Sequence, residues 1–223
     1  MLCVFDVNET LLDLAALDGF FTELTGTPEA RPEWFSLMIH SALTLTAART
    51  YRPFGEIAAA CLAPVAARHG RTATRDHQRE LGERLRQLPA HPDAAAAIRR
   101  LRGAGFSVVT LTNSTTEVAE DQLHNAGLRD LIQVVYSADE VRMLKPAPEP
   151  YHHVLNSQHA TPADTVLIAA HDWDIAGAAA AGLRTALITR DGQGPLPASE
   201  SPAMSATSLQ AIATELINRQ PRD

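Results

Sequence analysis

The sequence predicts an α/β fold: a Rossmann-like core built on a parallel sheet, with a helical cap inserted after the first strand. Two observations carry this. Five short apolar runs alternate with helical stretches along most of the chain, the pattern of a mostly parallel sheet covered on both faces. Residues 14–88 interrupt that alternation with helix-like stretches alone. The expected division is a core of residues 1–13 and 89–223 and a cap of residues 14–88.

The first strand is expected over residues 2–5, a short apolar run that stops at Asp6. Helices are expected over 14–24, 34–48, 54–69 and 74–88, divided by Gly26, Pro28, Pro53 and Gly70. The alternation resumes with a helix over 93–101, behind Pro92. A second strand over 106–111 is punctuated by Gly103 and Gly105 before it and by Thr112, Asn113 and Ser114 after it. A helix over 115–125 stops at Gly127. Then come a strand over 133–136, a helix over 150–158, a strand over 165–169, a helix over 175–181 that stops at Gly182, and a strand over 185–189. The Gly- and Pro-rich stretch 191–201 reads as loop, and 205–218 as a closing helix with Ser or Thr at its N-cap.

Composition excludes several classes. The chain has 223 residues, 45% hydrophobic and 20% charged, which is ordinary for a globular protein. No apolar run approaches the ~18 residues of a membrane span. A net charge of −7 argues against a phosphate-backbone partner. Neither a membrane nor a nucleic-acid partner is therefore expected. Two cysteines, Cys3 and Cys61, are too few for a disulfide scaffold. Asp6 interrupts the first apolar run before a secretion signal could form. A cytoplasmic location is the expectation. Of the 19 basic residues, only Lys145 is a lysine. Codon bias toward Arg accounts for such a ratio; so does a position that needs a compact ammonium, which the planar guanidinium cannot imitate.

In an open parallel sheet, ligands bind beyond the carboxyl ends of the strands. Asp6, Val7, Asn8, Glu9 and Thr10 follow the first expected strand, and Thr112, Asn113 and Ser114 the second. Leu144, Lys145 and Pro146 lie beyond the third, and Ala170, His171, Asp172, Trp173 and Asp174 follow the fourth. A carboxylate, a hydroxyl and amide pair, an ammonium and a second acidic cluster thus meet at one rim.

These residues carry a resemblance. The run from Phe5 to Leu11, an acid followed four residues later by Thr10, resembles the first motif of the haloacid dehalogenase superfamily. Leu111-Thr112-Asn113 resembles its second motif, Leu144-Lys145-Pro146 its third, and Asp172 to Ala178 with Ala181-Gly182 its fourth. The resemblance covers essentially the whole chain, the helical cap included. Phosphatase members carry a second Asp at the place of Asn8 and usually another at Ala170, where it helps to bind Mg²⁺. Both are absent here, and the (S)-2-haloacid dehalogenases are the nearer likeness. Five positions depart from those enzymes: Asn8-Glu9 replaces Tyr-Gly, Ala169 and His171 replace Ser and Asn, and Phe35 replaces the Arg that helps bind the departing halide.

The resemblance implies a hydrolase acting on a carbon–halide bond, with a small anionic carboxylate as substrate and neither a metal nor an organic cofactor. Asp6 would displace halide from a 2-haloacid, and water would hydrolyse the aspartyl ester to a 2-hydroxy acid. Lys145 would pair with Asp6 and the substrate anion, and Asp174 would orient the hydrolytic water or Lys145. Thr112 and Asn113 would hold the substrate carboxylate through the hydroxyl and backbone donors. Asn8, Phe35, Tyr151, His171 and Trp173 are the further residues expected at the substrate, with Trp173, Asn8 or His171 receiving the halide. Tyr51 and Phe54 also match lining positions. Family members often pair, which suggests a homodimer. Each polar residue has a plainer reading: Asp6 or Asp174 as a capping carboxylate, Thr112 and Asn113 as helix caps, Lys145 as a surface lysine, His171 as a structural ring. Two other functions stay open: a phosphatase-type hydrolase of the same superfamily, and a catalytically idle member that binds small anions or a protein partner.

Overall fold

The computed structural model describes residues 1–190, 194–197, 199 and 201–220. Its centre is a sheet of six parallel strands in the order β3-β2-β1-β4-β5-β6. These are β1 (Leu2–Phe5), β2 (Ser107–Thr112), β3 (Val135–Ser137), β4 (Thr165–Ala169), β5 (Arg184–Ile188) and β6 (Met204–Ala206). Side chains alternate across the sheet. Cys3 and Phe5 of β1 enter one hydrophobic layer, Leu2 and Val4 the other. Helices α5 (Ala94–Gly103), α6 (Thr116–Asn125) and α9 (Leu209–Asn218) fill the first layer with Ile98, Leu101, Leu123 and Leu216. Helices α7 (Pro148–Ser157) and α8 (Asp172–Ala180) fill the second with Tyr151, Val154, Ile175 and Ala178. This is the expected α/β core.

Between β1 and α5 the chain forms helices and turns and no strand, only isolated bridges from Leu12 to Asn8 and Ala90. A 3₁₀ turn over Leu14–Leu17, capped by the Asp13 carboxylate, precedes α1 (Asp18–Thr25). The single helix expected over 14–24 is thus split. Helix α2 (Ala30–Ala47) starts earlier than expected, because Pro32 falls in its first turn, where no amide donor is needed. Helices α3 (Phe54–Arg68) and α4 (Arg75–Arg86) follow. Trp34 is fully buried, and its indole N–H donates to the Ala58 carbonyl at 2.8 Å, fastening α2 to α3. The chain leaves the core and returns side by side: Asp13 N–H donates to the Pro89 carbonyl at 2.9 Å, and His91 N–H to that of Leu11 at 2.8 Å.

Two expectations need correction. The closing helix begins at Leu209 behind the N-cap Ser208, and residues 204–206 form β6 instead of its first turn. That strand is three residues long with only Met204 buried, so it shows no periodicity; the edge of β5 makes it a strand. The third strand lies over Val135–Ser137, later than expected. Part of the loop expected over 191–201 lies outside the described residues. No described helix is long and apolar enough to cross a membrane.

The chain runs from β1 outward to β2 and β3 on one side, while β4, β5 and β6 lie on the other. The order reverses between β1 and β4, so a crevice opens at their carboxyl ends. Asp6 follows β1 there and Ala170 follows β4.

Gly177 of α8 marks how closely the elements around this crevice meet. A Cβ at position 177 would lie 2.5 Å from Pro146 Cβ, 2.7 Å from the Pro146 carbonyl oxygen and 2.7 Å from the Tyr151 hydroxyl. Gly→Ala inside a helix ordinarily stabilises by about 1 kcal/mol. Gly177→Ala is expected to reverse that sign, lowering stability by roughly 1–3 kcal/mol in urea unfolding, as overpacking does. A variant as stable as the parent would contradict this packing.

Candidate active site

The crevice is organised by one buried ammonium. Lys145 is 1% exposed. Its Nζ donates to Asp6 Oδ1 at 2.9 Å, to Asp174 Oδ2 at 2.6 Å and to the Leu111 carbonyl at 2.9 Å. An ammonium has three donors, and all three are used. The Asn113 side chain fixes the backbone that carries it: Oδ1 accepts from Lys145 N–H at 2.8 Å, and Nδ2 donates to the Lys145 carbonyl at 3.4 Å.

Each carboxylate has further partners. The Thr10 hydroxyl donates to Asp6 Oδ2 at 2.8 Å and accepts Ala170 N–H at 2.9 Å, joining the first and fourth motif segments. The Tyr151 hydroxyl donates to Asp174 Oδ1 at 2.5 Å. Both oxygens of Asp174 are therefore engaged by protein groups.

His171 stands on the open side of Asp6. Its ring stacks between Phe35, at a centroid distance of 5.3 Å, and Trp173, at 5.2 Å. Its Nε2 lies 3.1 Å from Glu9 Oε2. Its Nδ1 is buried 3.4 Å from Asp6 Oδ2, within ion-pair range but without an aligned hydrogen-bond partner among the described residues. Arg31 of α2 lies 3.5 Å from Glu9 Oε1. Glu9 itself has φ +60°, a left-handed conformation that aims its side chain at the imidazole.

Burial and charge oppose one another throughout. Burial alone would raise the Asp6 pKa, but Lys145 and His171 outweigh it and hold the carboxyl well below the usual range. Burial works against the Lys145 charge too, yet Asp174 and Asp6 keep its pKa above the ordinary lysine value. Burial pushes Asp174 up, against the opposing pull of Lys145, and Asp6 adds to the rise. Burial disfavours charge on His171, but Asp6 and Glu9 win and push its pKa up to about 9.

The expected residues divide by position. Asp6, Asn8, Phe35, Thr112, Asn113, Lys145, His171 and Trp173 line one small cavity with Ile39 and Phe54. Asp174 and Tyr151 do not line it; both are fully buried behind Lys145. The substrate contact expected of Tyr151 is thus corrected to a contact with Asp174. Tyr51 is likewise bound to Asp139 rather than set in the cavity wall. The side chain of Asn113 is spent on the Lys145 backbone, whereas the Thr112 hydroxyl, which accepts Ser114 N–H at 3.2 Å, keeps its proton to donate. Asn8 Oδ1 accepts from Gln122 Nε2 at 3.1 Å. The sequence left Arg31 unmarked, and placed Glu9 and Thr10 at the rim without giving either a role.

Comparison with known proteins follows the same lines. Residues 1–182 match the model of the haloacid dehalogenase-like hydrolases. The (S)-2-haloacid dehalogenase 1 of a Pseudomonas species is 27% identical over 190 residues, 84% of this chain and 84% of that one. A phosphoglycolate phosphatase of Cupriavidus necator is 30% identical over 122 residues, 54% of this chain and 53% of that one. The structure of the L-2-haloacid dehalogenase from Xanthobacter autotrophicus superposes with a TM-score of 0.92 at 21% identity, over 99% of this chain and 100% of that one, a likeness of fold.

The His171 ion pairs carry a pH signature. In the unfolded chain the ring loses its proton near 6.5, the ordinary histidine value, and in the folded protein near 9. Their stabilisation is therefore complete below about pH 6.5 and is lost as the pH rises through about 9. That difference corresponds to roughly 3 kcal/mol. The stability advantage of the parent over His171→Gln in urea unfolding is expected to shrink between pH 6.5 and 9.5. A constant difference across that range would show that the ring is not held protonated.

Proposed function

The chain belongs to the haloacid dehalogenase-like hydrolases, and we propose that it hydrolyses a small 2-haloacid to the 2-hydroxy acid through an ester on Asp6. Asp6 attacks the α-carbon and expels halide with inversion. Water then attacks the carboxyl carbon of the aspartyl ester, releasing the product and regenerating Asp6. The observation that carries this reading is the placing of Asp6: a buried carboxylate at the carboxyl end of β1, 2.9 Å from the Lys145 ammonium, which favours its ionised form. A desolvated, ionised carboxylate is a competent nucleophile toward carbon.

The cavity fits the substrate in kind. The Thr112 hydroxyl and the backbone donors leading into α6 face a small carboxylate. Phe35, Ile39, Phe54 and Trp173 give an apolar wall for the alkyl group. Residues 14–88 act as the cap that brings Phe35 over Asp6 and keeps bulk water out, which strengthens every charge interaction inside. Halide leaves without a proton, so Asn8 in place of an acid is no obstacle. The dehalogenase likeness over most of both chains supports this substrate class.

A phosphatase reading is supported by the likeness to the phosphoglycolate phosphatase, but the donor set argues against it. Phosphatase members of the superfamily use Mg²⁺, which seeks near-octahedral oxygen ligands. Here Asn8 offers an amide in place of an acid, Ala170 offers no side-chain oxygen, and Asp174 is buried out of the cavity, so Asp6 is the one carboxylate lining it among the described residues. The residues do not fit such an ion.

Asp6→Asn is expected to lower halide release from 2-chloropropionate by several orders of magnitude while the far-UV circular dichroism stays native. Activity of the parent should persist in chelator; complete inhibition reversed by Mg²⁺ would favour the phosphatase reading. Lys145→Arg should lose turnover at least tenfold, roughly 1.4 kcal/mol or more, since the larger guanidinium cannot reproduce three converging contacts in a filled pocket. Full activity in that variant would contradict the site.

A further inference from the structure

We propose that an apolar chamber beside the site cavity receives the substrate's side chain, so that the enzyme prefers 2-haloacids with an uncharged alkyl chain of several carbons to those with a methyl group. This rests on the dehalogenation reading above and narrows its substrate class. Three observations carry it. First, the site cavity has a volume of only about 10 Å³, roughly what one water molecule needs. The chamber has about 100 Å³. An apolar cavity of about 150 Å³ holds a benzene ring, so a short alkyl chain matches the chamber in size. Second, the two spaces adjoin, because Asn8, Phe35 and Phe54 line both. Third, the chamber walls call for no charge. They include Trp34, Met38, Ala58, Leu85 and Val118, and no Asp, Glu, Lys, Arg or His lines them among the described residues.

The N–H donors on these walls are spent within the protein. The Trp34 indole N–H donates to the Ala58 carbonyl at 2.8 Å. Gln122 Nε2 donates to Asn8 Oδ1 at 3.1 Å and to the Leu85 carbonyl at 2.8 Å. These bonds tie the short side chain of Asn8 to the chamber wall and leave a doorway between it and the rings of Phe35 and Phe54. A charged tail would shed its hydration in the chamber without a partner, whereas an alkyl chain gains by leaving water. The side chain of a 2-haloacid starts at the same α-carbon that Asp6 attacks, so a chain too long for the site cavity passes through that doorway. Phe35 also lines a wider, open depression with Arg31, Ser36 and Asp172. The substrate carboxylate reaches Asp6 from that side, past the guanidinium, and the chamber is left to the alkyl chain. Trp34 and Ala58 are buried at the chamber's inner end. Gly55, which is exposed, and Val118, which is half-buried, stand where it nears solvent.

Halide release from 2-bromopropionate and 2-bromohexanoate tests the chamber. The parent is expected to favour the hexanoate in kcat/KM by about tenfold or more, the low end for methylenes added in an apolar pocket. Two variants fill the chamber from positions outside the catalytic machinery. A Cβ at position 55 meets nothing within 4 Å, so Gly55→Phe has room. Val118→Phe enters from the half-buried face of α6. Each should cut the preference by roughly tenfold or more, through a raised KM for the hexanoate. Each should leave 2-bromopropionate turnover and the urea unfolding midpoint at the parent's values. Asn8→Tyr, which fills the doorway, should erase the preference as well. A parent that handles the two acids alike, or a preference that survives both filling variants, overturns the proposal and leaves the dehalogenation reading standing. Equal loss of both substrates in folded Gly55→Phe and Val118→Phe would make the chamber an entry passage and overturns it too. If the parent releases no halide from either acid, both readings fall.

Discussion

The arrangement depends on one lysine ammonium taken out of water and shared between two carboxylates and a carbonyl. Desolvating such an ion costs several kcal/mol even after relaxation, and its partners compensate only when the geometry closes every donor. Lys145 meets that condition with contacts at 2.6–2.9 Å to Asp174, Asp6 and Leu111. A buried ion network of this kind is weak evidence for stability, since apolar residues could fill the same volume. Its value lies in fixing Asp6 as a carboxylate and in holding four chain segments to one point.

The parallel sheet explains why those segments can meet. Strand order reverses between β1 and β4, so the loops after them diverge and leave a crevice. Thr10 bridges across it from Asp6 to the Ala170 amide. Gly177 lets α8 approach Pro146 and Tyr151, which sets the depth of Asp174 behind the ammonium. On the far side of Asp6 the helical insert supplies Phe35, and with Trp173 it turns His171 into a clamped, charged ring. Asp6 thus has two cationic neighbours, Lys145 at 2.9 Å and His171 at 3.4 Å, and the charge of the second depends on that of Asp6.

Much of this was legible in the sequence for physical reasons. The buried strands read as apolar runs because both sheet faces are covered, and chemistry-bearing residues follow them because that is where a parallel sheet opens. Lys145 stood out as the single lysine in a chain that otherwise uses Arg. What escaped is equally specific. Strand β6 is too short and polar for periodicity, and pairing alone makes it a strand. Tyr151 was expected at the substrate, but a tyrosine on the buried face of α7 points behind the site, and sequence spacing does not give that direction. Glu9 was noted only as a departure from the glycine found in similar enzymes. Its φ of +60° is a conformation that glycine adopts freely, so Glu9 holds it at a backbone cost. The fate of His171 depended on Glu9 and Phe35, which approach it from distant parts of the chain.

The central claim is that Asp6 becomes an ester whose carboxyl carbon, not the substrate carbon, is attacked by water. A single turnover in ¹⁸O-labelled water, with enzyme in excess over 2-chloropropionate, tests it most directly. The account predicts that label enters the Asp6 carboxylate, found by mass spectrometry of the peptide containing it, while the 2-hydroxy acid from that first turnover carries unlabelled oxygen. Label appearing in the hydroxy acid during the first turnover, with Asp6 unlabelled, would contradict it.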